Sequence, residues 1–331
     1  MQFLRLLESM RTGVGDFFFA TVTHLGEETF FLALAILFFW CVNKRQGYYI
    51  LFTGLFGTVI NQFLKILCRI PRPWIIDSDF KPVGAAVEEA TGYSFPSGHT
   101  QNVAGTYGCI GRYNRQRWLK ITCLTVIILV AFSRMYLGVH TPLDVATSLG
   151  IAALLVFGLH FIFRTEESTD KYMPYLVLGA CVITVAFTVY VSLLSAQDFP
   201  SASDLSNLAS ARKNAATLLG CFIGLAVVYP LDRFYIRFDT KARWYAQVIK
   251  LAVGVGIVLA IKSGLSKPLV SLFGNEYVAR SVRYFLIVAF AGGVWPLTFK
   301  FFGKMRIEKL ENFTAWISAK FTKKEQQQPA E

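Results

Sequence analysis

Apolar runs approaching membrane-spanning length recur along nearly the whole chain, and they constrain its fold more than any other feature. About 20 apolar residues in a helix cross a bilayer, and a lipid-exposed backbone must satisfy its own hydrogen bonds. Runs at residues 28–42, 47–67, 99–111, 121–135, 142–163, 172–194, 215–229, 248–261 and 284–302 predict nine helical spans, several of them short. Only 16% of residues are charged and 54% are hydrophobic, where soluble domains carry about 25% charged residues. The expected fold is therefore all-α, a polytopic transmembrane helical bundle.

The charges set an expected orientation. Nineteen of the 33 Lys and Arg residues fall in the 43–45, 112–120, 164–171 and 233–243 connections and in the tail from Lys300. Loops rich in Lys and Arg stay cytoplasmic. The N-terminus is then outside and the C-terminus cytoplasmic, and the net charge of +12 reflects loops rather than nucleic-acid binding. Residues 1–19 read as an interfacial helix or a lead-in to the first span, and 305–321 as an amphipathic helix on the cytoplasmic side. Residues 326–331 are expected to be disordered. Arg5, Glu8, Arg11 and Asp16 break any signal-peptide core. Six cysteines without a CxxC pair read as buried thiols. Gly220 and Gly224 have the GxxxG spacing that allows close helix packing.

Polar residues cluster in three stretches at the extracytoplasmic side: KILCRIPRP from Lys65 to Pro73, PSGH from Pro96 to His99, and SRMYLGVHTPLD from Ser133 to Asp144. Ionisable groups at such positions are costly and functional. A phosphate ester needs a cationic cradle, a nucleophile and an acid for its leaving oxygen. Lys65, Arg72 and Arg134 supply charge, with arginine offering planar bidentate contacts. Ser97 and Gly98 open a helix whose free N–H groups bind phosphate. Asp144, four residues after His140, orients that ring by accepting one ring N–H and frees the other nitrogen to attack. His99 is then the general acid, and a phosphohistidine is the expected intermediate.

Lys65, six intervening residues and Arg72-Pro73, then Pro96-Ser97-Gly98-His99, then Ser133-Arg134 with His140 and Asp144: this set resembles the three-part signature of the type 2 phosphatidic acid phosphatase (PAP2) family. The resemblance covers about residues 20–195. It implies a metal-independent membrane phosphatase with no cofactor and a six-helix core, here followed by about three additional transmembrane helices. The chain divides on this reading into a PAP2-like core at 1–195, additional helices at 196–303 and a cytoplasmic tail at 304–331. The resemblance assigns phosphate contacts to Lys65, Arg72, Ser97, Gly98, His99 and Arg134, the nucleophile to His140 and its orienter to Asp144. A lipid phosphate or an isoprenoid diphosphate in a bacterial-type plasma membrane is the implied substrate.

Three alternatives stay open. The extra helices also look like the glucose-6-phosphatase branch, which acts on a soluble sugar phosphate. A non-enzymatic lipid-phosphate binder or transporter would use the later spans, although Lys250 is nearly alone as an ionisable residue deep in one. A vanadium haloperoxidase shares the signature, because vanadate mimics phosphate. Outside the set, His24 and His160 read as structural. Asp77, Asp79, Lys81, Glu88 and Glu89 read as a solvated loop or a substrate lid, flanked by Trp74 and Tyr93, which suit an interfacial anchor or a substrate contact.

Overall fold

The computed structural model describes residues 1–88 and 90–312, and every regular element among them is helical. Two short helices, α1 (Gln2–Ser9) and α2 (Gly13–Thr23), lead into α3 (Glu28–Leu37), which ends in a π-helical turn at Phe38–Val42. Helix α4 (Lys44–Cys68) is followed by two short helices, α5 (Pro73–Ile76) and α6 (Gly84–Glu88). Then come α7 (Gly98–Tyr113), α8 (Arg117–Tyr136), α9 (Pro142–Phe163) and α10 (Glu166–Leu193). The remainder is α11 (Ala202–Leu231), α12 (Trp244–Gly264), α13 (Ser266–Phe273), α14 (Glu276–Ala289) and α15 (Phe299–Lys304).

Side-chain caps start most of the long helices. Asn43, Ser97, Thr141, Thr165, Ser201 and Asn275 each accept a backbone N–H from the first turn that follows, satisfying donors that no helix bond reaches. Pro142 opens α9, where its missing N–H costs nothing.

Among the described residues seven helical segments are long and apolar enough to cross a membrane, fewer than the nine spans the apolar runs suggest. Residues 28–42 reach spanning length only together with Gly13–Gly26, across a 50° bend. This also divides the stretch at 1–19, where Met10 to Thr12 separate α1 from α2. Residues 99–111 form α7, which has 16 residues and is about 24 Å long at 1.5 Å per residue. Its Thr100, Gln101 and Thr106 are buried among other helices rather than turned to lipid. The amphipathic tail at 305–321 and the end at 326–331 lie outside the described residues from Phe313 on, as does Glu89.

The main core gathers α3, α4, α7, α9, α10 and α11 around Tyr49, Phe52, Phe163 and Phe222. Phe52 sits 6.2 Å from Phe163 and 6.3 Å from Phe222, so α11 shares the core of the preceding helices. A second cluster of Trp40, Phe238, Tyr245, Trp295 and Phe299 joins the end of α3 to α12 and to the segment after α14. Gly220 and Gly224 lie against α14, where a Cβ would run into the Ser281 carbonyl and Val288. The C-terminal ends of α4 and α8 and the N-terminal ends of α7 and α9 meet at one end of the bundle. Lys44, Arg45, Arg233 and Arg237 line a cavity at the other end.

Candidate active site

The helix ends that meet carry all eight residues singled out by the three motifs. Lys65 lies in the last turn of α4, which closes with Arg69 in the left-handed region at φ 49°. Its ammonium donates to the Tyr93 carbonyl. Arg72 lies just before Pro73 and is 5% exposed. Its guanidinium donates to the carbonyls of Val139 at 2.9 Å, Thr91 at 2.8 Å and Gly92 at 3.1 Å. Arg134, at the end of α8, is buried and donates to Thr23 Oγ1 at 2.6 Å.

His140 is buried between these cations. Arg72 Nη1 lies 3.0 Å from His140 Nε2, and a guanidinium has no acceptor, so Nε2 is the accepting nitrogen. The neutral ring then carries its proton on Nδ1, which stands 3.5 Å from Asp144 Oδ2. Asp144 is itself held, because the same oxygen accepts from Ser94 Oγ at 2.6 Å and from the Thr141 N–H at 2.7 Å. The second bond is half of a capping box at the start of α9. Burial, and then the charges of Arg72, Arg134 and Lys65, hold the His140 pKa well below 6.5. The ring is therefore a neutral imidazole.

Ser97 caps α7, its hydroxyl accepting from the Thr100 N–H and hydroxyl. The Ser97 carbonyl accepts from Ser148, which also bonds the Asp144 carbonyl, so the starts of α7 and α9 are tied together. Gly98 and His99 line a cavity of about 180 Å³ with Lys65, Arg72, Arg134 and His140, whereas Ser97 and Asp144 stand behind it. His99 Nε2 is buried without a hydrogen-bond partner among the described residues. Among the described residues no group of three or more His, Cys, Asp or Glu side chains is arranged to hold a metal ion. A larger cavity of about 650 Å³ opens at the opposite end, and no histidine or cysteine lines it.

Four features of the site escape a reading by motif. Ser94 and Thr23 brace Asp144 and Arg134, and an ordinary serine and threonine give no signal of that. Tyr93 donates to Asp204 of α11 at 2.7 Å. Asn61, Gln62, Gln101 and Asn102 line the same cavity, and their signal was polar residues inside apolar runs. The loop after α5 is held from outside by α1. Arg5 pairs with Asp77 at 2.6 Å, the Lys81 N–H donates to Glu8 at 2.9 Å, and Arg11, just past α1, donates to the Lys81 carbonyl. His24 contacts Glu27, and His160 packs near Tyr49 away from the cavity.

A polytopic helical bundle buries three cations and a histidine–aspartate pair at one end, the arrangement a membrane phosphatase needs. Residues 45–168 match the PAP2 superfamily, and residues 215–306 match the transmembrane extension of PAP2 superfamily phosphatases. The chain belongs to the PAP2 superfamily. Phosphatidylglycerophosphatase B of Bacillus subtilis is 30% identical over 148 residues, 41% of this chain and 69% of that protein. Undecaprenyl-diphosphatase BcrC of the same organism is 30% identical over 149 residues, 44% of this chain and 72% of that protein. A probable sphingosine-1-phosphate phosphatase of Dictyostelium discoideum is 26% identical over 208 residues, covering 57% of this chain and 47% of that protein. No solved structure matches the chain significantly.

Proposed function

We infer that this phosphatase hydrolyses a lipid phosphate monoester or an isoprenoid diphosphate at the extracytoplasmic face, through a phosphohistidine on His140. The observation that carries this reading is the His140 ring, with Nε2 against Arg72 and Nδ1 toward Asp144. Lys65, Arg72, Arg134 and the N–H groups at Gly98 cradle the phosphate oxygens. His140 Nε2 attacks phosphorus, forming the P–N bond while the P–O bond to the leaving group breaks. With a monoester, His99 gives its proton to the departing alkoxide, and the incoming phosphate charge favours the imidazolium that does so; with a diphosphate, the isoprenyl phosphate leaves as the anion. Water then attacks the phosphohistidine, His99 takes its proton, the P–N bond breaks and phosphate leaves. Asp144 keeps the proton on Nδ1 and stabilises the charge that ring acquires.

Phosphatidylglycerol phosphate, undecaprenyl diphosphate and sphingosine phosphate are the substrates that the relatives' names suggest. Residues 1–195 form the catalytic core on this reading, 196–303 the added helices and 304–331 the cytoplasmic tail. The Lys and Arg residues at the end opposite the site support an extracytoplasmic site through the positive-inside rule.

The test is phosphate release by detergent-purified protein in EDTA. Wild type should release phosphate from at least one lipid phosphate and His140→Ala from none. Trapping of labelled phosphate on wild type but not on the variant would support the covalent step. Full inhibition by EDTA would contradict metal independence, and a preference for glucose 6-phosphate would overturn the lipid reading.

A further inference from the structure

The lining of the cavity beyond the cations is also polar. On α4, Thr58, Asn61, Gln62 and Lys65 fall at intervals of three, four and seven residues, so they share one helical face. Gln101 and Asn102 of α7 line the cavity opposite that face, and Asn214 of α11 completes it. Two of these side chains are buried without partners among the described residues. Asn61 and Gln101 are each 2% exposed, and neither the nitrogen nor the oxygen of either amide makes a hydrogen bond to a described residue. A buried polar atom left unpaired is destabilising, because it has given up water and gained no partner. Four such atoms lining one cavity therefore mark a surface built to meet donors and acceptors.

The position of that wall limits what meets it. Asn61 Oδ1 is 3.9 Å from where a Cβ on Gly98 would sit, so the amide lies beside the phosphate-binding turn. The cavity, at about 180 Å³, is smaller than the roughly 300–1,000 Å³ that holds a whole drug-sized ligand. It has room for the phosphate and the atoms next to it, not for a lipid tail. Glu28, exposed at its edge, and Asn214 mark the side toward α11.

We propose that Asn61, Gln101 and Asn214 form a specificity subsite for a hydrogen-bond donor on the carbon adjacent to the phosphate-bearing carbon of the substrate. This rests on the reading of the site as a lipid phosphatase. Two chemistries supply such a donor, the secondary hydroxyl of a glycerol phosphate headgroup and the ammonium of a sphingoid-base phosphate. Phosphatidate carries an ester oxygen there, which accepts from an amide N–H but offers the amide oxygens nothing, and an isoprenoid diphosphate carries carbon, so both leave the Asn61 and Gln101 oxygens unpaired. A site that hydrogen-bonds a substrate donor rejects the analogue lacking it, because its own groups are then left unpaired. One of the three residues comes from α11, so the added helices contribute to substrate choice.

The test compares kcat/KM of the full-length protein in detergent on phosphatidylglycerol phosphate, sphingosine phosphate, phosphatidate and undecaprenyl diphosphate. Wild type should prefer one of the two donor-bearing substrates by at least tenfold over both others, and which one it is separates hydroxyl from ammonium. Asn61→Leu should lower that ratio about tenfold. Asn214→Leu, on a different and less buried helix face, should lower it in the same direction and decides the matter if the first variant does not fold. A wild-type preference for phosphatidate or undecaprenyl diphosphate, or a ratio unchanged within twofold in a folded variant, overturns the subsite. No release from any of the four by wild type would instead overturn the lipid-phosphatase reading beneath it.

Discussion

A nucleophilic imidazole has to be neutral, oriented and close to positive charge, and these demands conflict unless the surroundings are asymmetric. Here Arg72 faces Nε2 and Asp144 faces Nδ1. The depressed His140 pKa follows from burial and three nearby cations, so the neutral ring that the proposed attack requires persists as pH falls below 6.5 and is lost only on passing the lowered value. The acid limb that His140 imposes on kcat/KM should accordingly lie below pH 6.5, and a limb above that value assigned to His140 would contradict the geometry. Asp144→Asn leaves the helix start nearly intact but no longer enforces the tautomer. A fall of about 10²–10⁴-fold in kcat is expected, by analogy with the loss of the aspartate in a serine-protease triad. Ser94→Ala removes only the 2.6 Å bond to Asp144 and should cost about tenfold, in the range seen for groups that orient a functional residue. Wild-type rates in both variants would remove the bracing role.

At the scale of elements, the long apolar helices and the three motifs are legible in the sequence because hydropathy and spacing carry them directly. The failures have specific causes. Helix α7 reads as a span by its apolar run, yet its polar residues belong to a buried face beside α4 and α9. The break between α2 and α3 is a short 3₁₀ turn at His24–Gly26, which hydropathy does not register. The cavity wall of amides depends on which face of α4 meets α7, and that is a property of packing. GxxxG spacing is too common to interpret alone, but here it sets a close approach of α11 to α14. Gly220→Val would push a branched side chain against the Ser281 backbone. Overpacking of this kind costs about 1–3 kcal/mol and should lower the thermal unfolding midpoint in detergent, while Gly256→Val, with open space around its Cβ position, should leave it unchanged.

For the whole molecule, the structure separates two ends with different chemistry, and the orientation argument can be tested on a single atom. Cys68 ends α4 within the first motif and is exposed, whereas Cys109, Cys123 and Cys221 are buried. A membrane-impermeant maleimide added to intact cells should therefore label the protein, and Cys68→Ser should abolish most of that label. Arg237→Cys, placed in the Cys68→Ser background at the exposed opposite end, should react only after the membrane is permeabilised. The reverse pattern would put the catalytic cavity in the cytoplasm. It would also require the basic residues around Lys44, Arg233 and Arg237 to lie outside, against the rule that loops rich in Lys and Arg remain on the cytoplasmic side. Labelling from outside at Cys68 alone ties the site to the face from which a lipid phosphate in the outer leaflet is reached.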